Sequence, residues 1–191
     1  MQPTPSTAAP AVRAVDTPNP DARMFRVNET LIPTGTHEFT DPTEAAERSP
    51  LAERLLQIDG VELVLVAPRF VTVRKATEAD WAWLSPTVSA SLGAFLRSGE
   101  MAVFEGVGVG LAGKERSEIE RKIIEILDED IRPAIAQDGG DVVFEGFQNG
   151  VVYLRLIGAC GTCPSSTATL KHGIERYLRE EIPEVTGVEQ R

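Results

Sequence analysis

The sequence predicts an α+β protein, two small α+β domains joined by a Gly-rich linker, and three observations carry that reading. Strand-like β-branched runs and stretches with apolar residues at helical spacing both occur in each half of the chain. Gly106, Gly108, Gly110 and Gly113 crowd one short segment between the halves, a density suited to a linker. The length of 191 residues fits one large domain or two small ones.

Residues 1–21 hold Pro3, Pro5, Pro10, Pro18 and Pro20 with few large apolar side chains, which predicts a mobile segment, its first part (1–15) a disordered tail. The first domain is placed at 16–104. Met24 to Val27 and His37 to Thr40 read as short strands separated by Pro33 and Gly35, with a hairpin expected. Ser49-Pro50 opens a short helix carrying Leu51, Leu55 and Ile58, and Asp59-Gly60 stops it. Val61 to Val66 and Phe70 to Val73 form a second expected hairpin across Ala67-Pro68-Arg69. Thr77 and Asp80 resemble a capping box for a helix with the face Trp81, Leu84, Val88, Leu92 and Phe95, ending at Gly99. Met101 to Phe104 reads as a last short strand, and residues 105–113 are the linker.

The second domain, 114–191, has the predicted order α-β-β-α-β. Ser117 and Glu120 form a capping box ahead of the apolar stripe Ile119, Ile123, Ile126 and Leu127, which ends near Pro133 or the Asp138-Gly139-Gly140 turn. Strands over Asp141 to Phe147 and Val151 to Ile157 are joined by Asn149-Gly150, which suits a tight hairpin. Pro164 begins a helix with Leu170, Ile174, Tyr177, Leu178 and Ile182 on one face. Pro183 stops it, and Val185 to Val188 form an edge strand.

Composition narrows the function classes. Apolar residues at 42% and charged residues at 25% describe a chain that can bury a core. The net charge of -10 is spread over both halves, so neither offers the basic surface that nucleic acid or an anionic membrane requires. No apolar run approaches the roughly 18 residues of a membrane span. The first residues carry neither the apolar core of a secretion signal nor an Arg-rich leader, and a cytoplasmic protein is expected.

The chain has two cysteines, Cys160 and Cys163, and a pair at this spacing in a reducing compartment points to metal binding or catalysis. A strand end delivers Cys160 into a Gly-rich turn, and Cys163 falls where the next helix begins, which favours thiolates. Zinc sites and cubane clusters need about four ligands. Of the two histidines, His37 lies in the other domain, and His172 is nine positions beyond Cys163 along the helix, roughly 13 Å of axial rise. A complete thiolate set therefore needs a second copy of the chain across a two-fold axis, a cluster-bridged homodimer. Thiol-disulfide exchange, a structural zinc-bridged dimer and a pair of inert thiols share the same spacing and stay open.

Asp138-Gly139-Gly140-Asp141, Gly158-Ala159-Cys160-Gly161-Thr162-Cys163-Pro164-Ser165-Ser166 and Thr169-Leu170-Lys171 closely resemble the C-terminal domain of NifU and the Nfu-type iron-sulfur scaffold and carrier proteins. Asp16-Thr17-Pro18-Asn19-Pro20, Arg48-Ser49-Pro50-Leu51-Ala52 and Asp80-Trp81 look like the Nfu N-terminal domain. The resemblance implies that Cys160 and Cys163 of two chains hold a 4Fe-4S cluster at their interface. It also implies a non-enzymatic role: the chain assembles the cluster, or receives it from an upstream donor, and passes it to apo iron-sulfur acceptor proteins.

Four other signals have plainer readings. Gly108-Val109-Gly110-Leu111-Ala112-Gly113 satisfies a dinucleotide fingerprint, but the next helix starts outside it and no acid follows at the right distance, so it reads as linker. Asp128, Glu129 and Asp130 occupy successive helix positions and cannot converge on a cation. Trp81 continues the core stripe, while Trp83 lies off it as a candidate partner anchor. Lys171 and His172 read as helix surface.

Overall fold

A computed structural model of the chain describes residues 11–104, 116–161 and 164–191, the last stretch with its side chains from residue 168 onward. The architecture is α+β, with two sheets. The larger contains β1 (Val12–Asp16), β2 (Ala22–Val27), β3 (His37–Phe39), β4 (Val61–Val66) and β5 (Phe70–Lys75) in the order β1-β2-β5-β4-β3, every pair antiparallel. With it go α1 (Pro42–Arg48), α2 (Pro50–Leu56) and α3 (Trp81–Ser98). Asp41 and Ser49 cap α1 and α2 by accepting first-turn backbone N–H groups, and each helix carries a proline at its start.

Strands β4 and β5 are covered on both faces, which accounts for their nearly unbroken apolar runs. Val64, Val66, Val71 and Val73 join Phe25, Leu51, Leu84, Leu92 and Phe95 in the core beneath the helices. The alternate residues Leu63, Leu65 and Phe70 face the other way and meet Ile157 and Val143 of the second sheet.

That second sheet is assembled from α4 (Glu118–Ile126), one π-helical turn (Leu127–Ile131), α5 (Arg132–Gln137), β6 (Gly140–Gln148), β7 (Val151–Gly158), α6 (Pro164–Glu181) and β8 (Gly187–Gln190). Its order is β6-β7-β8, with β7 and β8 parallel, so the α-β-β-α-β reading stands. The Ser117 and Glu120 capping box forms in full. Asn149 and Gly150 take φ values of 53° and 82°, as the tight β6–β7 hairpin needs. Val142, Leu154 and Leu156 pack against Ile123, Leu127, Ile174 and Leu178 on the helical side. The layers thus run helices, large sheet, small sheet, helices.

Five local expectations are corrected. The strands around Met24 and His37 both exist but do not pair. β5 inserts beside β2 and β4 beside β3, because those longer apolar strands bury more surface. Residues 12–15, assigned to the disordered tail, form β1 together with Asp16. Pro10 and Pro18 bracket this strand rather than interrupt it, and its backbone pairs with β2 from Val12 opposite Val27 onward. Helix α1 was not expected, although Asp41-Pro42 is a sound start signal. The cap of α3 is Asp80, not Thr77: its carboxylate accepts from the Ala82 N–H at 2.8 Å. Met101 to Phe104 forms no strand. Instead the Phe104 N–H donates to Arg48 O at 2.9 Å, and the Ser49 hydroxyl donates to Ala102 O. The Gly108 to Gly113 motif lies outside the described residues.

Candidate functional site

The site is built on the end of β7. Gly158 has φ +67°, and a Cβ there would stand 2.7 Å from both Gly139 O and the Leu65 Cδ2, so only glycine turns the chain at this point. The turn is fastened by Ala159 N–H donating to Gly139 O at 3.2 Å and Gly161 N–H donating to Gly158 O at 3.3 Å. Cys160 sits inside it.

The Cys160 side chain points inward, and the residue is only 5% exposed and packs with the core of the smaller unit. A Cβ on Gly140 would fall 2.6 Å from its sulfur, so the bare Gly140 backbone makes the seat that the thiol occupies. Beside it opens a pocket of about 340 Å³, mostly apolar, bounded by Ala159, Leu170 and Ile174 of the smaller unit and by Pro18 and Asn19 of the larger. A thiol in a largely apolar wall, with Asn19, Asp138 and Thr169 as the polar residues of the lining, suits a soft metal ligand. Cys163, the other expected ligand, lies outside the described residues; α6 begins at Pro164, directly after it. His172 is exposed on α6 and His37 belongs to β3. Among the described residues no three His, Cys, Asp or Glu side chains converge on one point.

Four side chains of the larger unit reach the same two strand ends, and the sequence did not single them out as site residues. Asn19 Nδ2 donates to Ala159 O at 3.1 Å, and the Thr72 hydroxyl donates to Gly139 O at 2.6 Å. Glu38 Oε2 accepts from the Gly158 N–H at 2.6 Å, and the Thr36 hydroxyl donates to the Asp141 carboxylate. Gly139, at φ +75°, permits this approach, because a Cβ there would lie 2.8 Å from Thr72 Oγ1. Thr72 was discernible as the polar residue inside a β-branched run, but nothing local says what it touches.

Burial pushes the Glu38 carboxyl above its ordinary value, with the Gly158 N–H, Arg155 and Arg74 pulling the other way. Next to it, burial and the Arg48 charge push His37 below its ordinary value. Asp141 is buried, accepts from the Val142 N–H at 2.7 Å and pairs with Arg132 at 3.5 Å. Asp128, Glu129 and Asp130 are exposed on the π turn, and Asp130 accepts from the Tyr177 hydroxyl at 3.0 Å. Trp81 is half-buried with its N–H on Pro20 O at 2.9 Å, whereas Trp83 is 45% exposed. Among the described residues no helix is long and apolar enough to cross a membrane.

Comparison with known proteins follows the two units. Residues 12–99 match the family described as scaffold protein Nfu/NifU N terminal, and residues 123–189 match the NifU-like domain. The chain is similar to the human NFU1 iron-sulfur cluster scaffold homolog, mitochondrial, with 45% identity over 181 residues, covering 94% of this chain and 71% of that protein. The Drosophila ananassae protein of the same name is 38% identical over 182 residues, covering 94% and 63%. The solution structure of a NifU-like protein from Saccharomyces cerevisiae superimposes with a TM-score of 0.47 at 21% identity, covering 55% of this chain and 94% of that one. Both sequence relatives are named as mitochondrial, which overturns the cytoplasmic expectation. That expectation rested on the composition of the first residues, which is a weak signal of compartment.

Proposed function

This chain belongs to the Nfu-type family of iron-sulfur cluster scaffold proteins, and from that premise we propose that its cargo is a 4Fe-4S cluster bridged between two chains. Cys160 and Cys163 of each chain supply the four thiolates. The observation that carries this reading is a C-x-x-C set at a glycine-gated strand end in a chain with only two cysteines. Half a ligand set per polypeptide places the cluster between molecules, where parting the pair exposes it to another protein's thiols.

The chain then hands its cluster to apo iron-sulfur acceptor proteins by ligand exchange, having assembled it or received it from an upstream donor. Iron-sulfur bonds are remade and no covalent enzyme intermediate is required, so the role is that of a carrier rather than an enzyme. Residues 16–104 serve as a docking domain without metal ligands, 105–113 as the linker and 114–191 as the cluster-binding domain.

Anaerobic reconstitution tests the reading: about four iron and four sulfide per dimer are expected, together with a shift from monomer to dimer on loading. Cys163→Ser should lose both the iron and the dimer. A Cys163→Ser protein that binds the cluster as well as the parent, or a monomer that holds it, overturns the proposal.

A further inference from the structure

The larger unit does more than sit beside the cysteine turn. Four of its hydrogen bonds come from separate places in the chain, the loop at Asn19, the loop at Thr36, β3 through Glu38 and β5 through Thr72. These four end on Gly139 O, the Asp141 carboxylate, the Gly158 N–H and Ala159 O, atoms that flank Cys160 and the Gly140 seat of its sulfur. Gly140 and Gly158 are opposite residues in the β6–β7 ladder, so both strand ends are held at once. The apolar part of the contact is small, Leu63, Leu65 and Phe70 against Ile157 and Val143. Contacts of that kind between units of one chain open more readily than a core does.

We propose that the larger unit is a cap on the Cys160 turn, and that the two units part before the thiol can serve a ligand set shared with a second chain. The inference rests on the cluster-scaffold reading for its consequence, but not for its geometry. A bridged cluster brings thiolates of both chains onto one group of irons at bonding distance. Cys160, with its sulfur against the Gly140 backbone and the residue 5% exposed, offers no such access while Pro18 and Asn19 of the larger unit wall the pocket beside it. Asn19 and Glu38 are therefore positioning residues: they hold Ala159 O and the Gly158 N–H, the backbone leading into Cys160, and set how often the turn is uncovered.

Alkylation of the full chain by iodoacetamide reads the cap directly, in a Cys163→Ser background that leaves Cys160 as the one thiol. The parent should react slowly. Asn19→Ala combined with Glu38→Ala should react roughly tenfold faster, the order expected for losing two ordinary hydrogen bonds, with circular dichroism and thermal unfolding still those of a folded protein. Glu38→Gln retains an oxygen that accepts from Gly158 and should restore slow labelling when Asn19 is intact. Should the double variant not fold, Thr72→Val removes one donor at nearly constant shape and carries the same expectation. Equal rates in parent and uncapped variant, or a parent as reactive as the chain in denaturant, overturn the cap. Because labelling needs no iron, failure to take up a cluster on reconstitution counts against the scaffold reading alone.

Discussion

The two units are made from the same parts, a sheet with helices on one face, yet they spend their second faces differently. The larger buries Phe25, Phe39 and Phe95 completely and presents polar side chains, Glu38 and Thr72 among them, on the face turned to its neighbour. The smaller rests on Ile123, Leu127 and Leu178 and presents backbone groups at two glycine-rich strand ends. Gripping is done by the unit with the bigger core, and the thiol belongs to the unit with less to lose by moving. A ligand site meant to exchange is placed where local opening is cheapest, and its resting geometry is enforced from outside.

The strongest way to break that comparison is to remove the same amount of core from each side. Leu178 and Leu92 are both fully buried leucines on helices, α6 and α3. Either leucine replaced by alanine should cost about 2–5 kcal/mol. A core the size of the smaller unit's supplies only about 3–5 kcal/mol. Leu178→Ala should therefore unfold that unit and abolish reconstitution, while Leu92→Ala lowers the melting temperature but leaves a protein that still takes up iron. Hydrogen exchange resolved by segment, with thermal unfolding, checks both. Equal behaviour of the two variants would mean that the units fold as one cooperative body.

A smaller effect concerns pH and sharpens the contrast at the contact itself. Glu38 is held above its ordinary value of 4.5 by burial, so the folded chain keeps its proton more firmly than the unfolded one. Its contribution is full below the unfolded value and is lost as pH rises through the elevated folded value. The groups around it are the Gly158 N–H, Arg155, which is paired with Glu145, and Arg74, which is paired with Glu62. His37, displaced downward, acts in the opposite sense, its contribution being lost as pH falls below 6.5. Subtracting Glu38→Gln from the parent removes the His37 effect. The difference in denaturation midpoint should decline with rising pH across the Glu38 window, and a flat difference would show that the carboxyl is solvated and the contact open.

Local grammar made much of this molecule legible. The Ser117 and Glu120 box, the Asn149-Gly150 hairpin and the β4–β5 hairpin depend on neighbours in sequence, and each formed as expected. The turn carrying Cys160 was legible for the same reason: glycine before a cysteine after a β-branched run marks a strand end. Sheet order was not, because nothing within Met24 to Val27 says that β5 and not β3 will lie beside it. The contact around Cys160 was hidden more deeply. Asn19, Thr36, Glu38 and Thr72 are ordinary polar residues until the other unit supplies Ala159 O, Asp141, Gly158 N–H and Gly139 O. Besides Thr72 within its β-branched run, a trace was the unbroken apolar character of Leu63 to Val66, since a strand with one face in water would have alternated.

The smallest expected effect tests whether helix caps matter unequally in the two units. Ser117 caps α4 through the Glu120 N–H, and Glu120 returns a bond to the Ser117 N–H at 2.8 Å. Asp80 does a comparable service for α3 through the Ala82 N–H. Removal of either cap by alanine costs about 1 kcal/mol. Helix α3 spans 18 residues and is anchored by Leu84, Val88, Leu92 and Phe95, so Asp80→Ala should merely fray its first turn. Helix α4 has nine residues, with only Ile123 and Ile126 buried and Ile119 of its first turn partly buried against the same core, so Ser117→Ala should carry its loss into the packing beneath Leu178. In chemical denaturation Ser117→Ala should thus shift the midpoint of the smaller unit by more than Asp80→Ala shifts that of the larger. The reverse order would place the weaker unit on the other side of the contact, and with it the side that moves when Cys160 is uncovered.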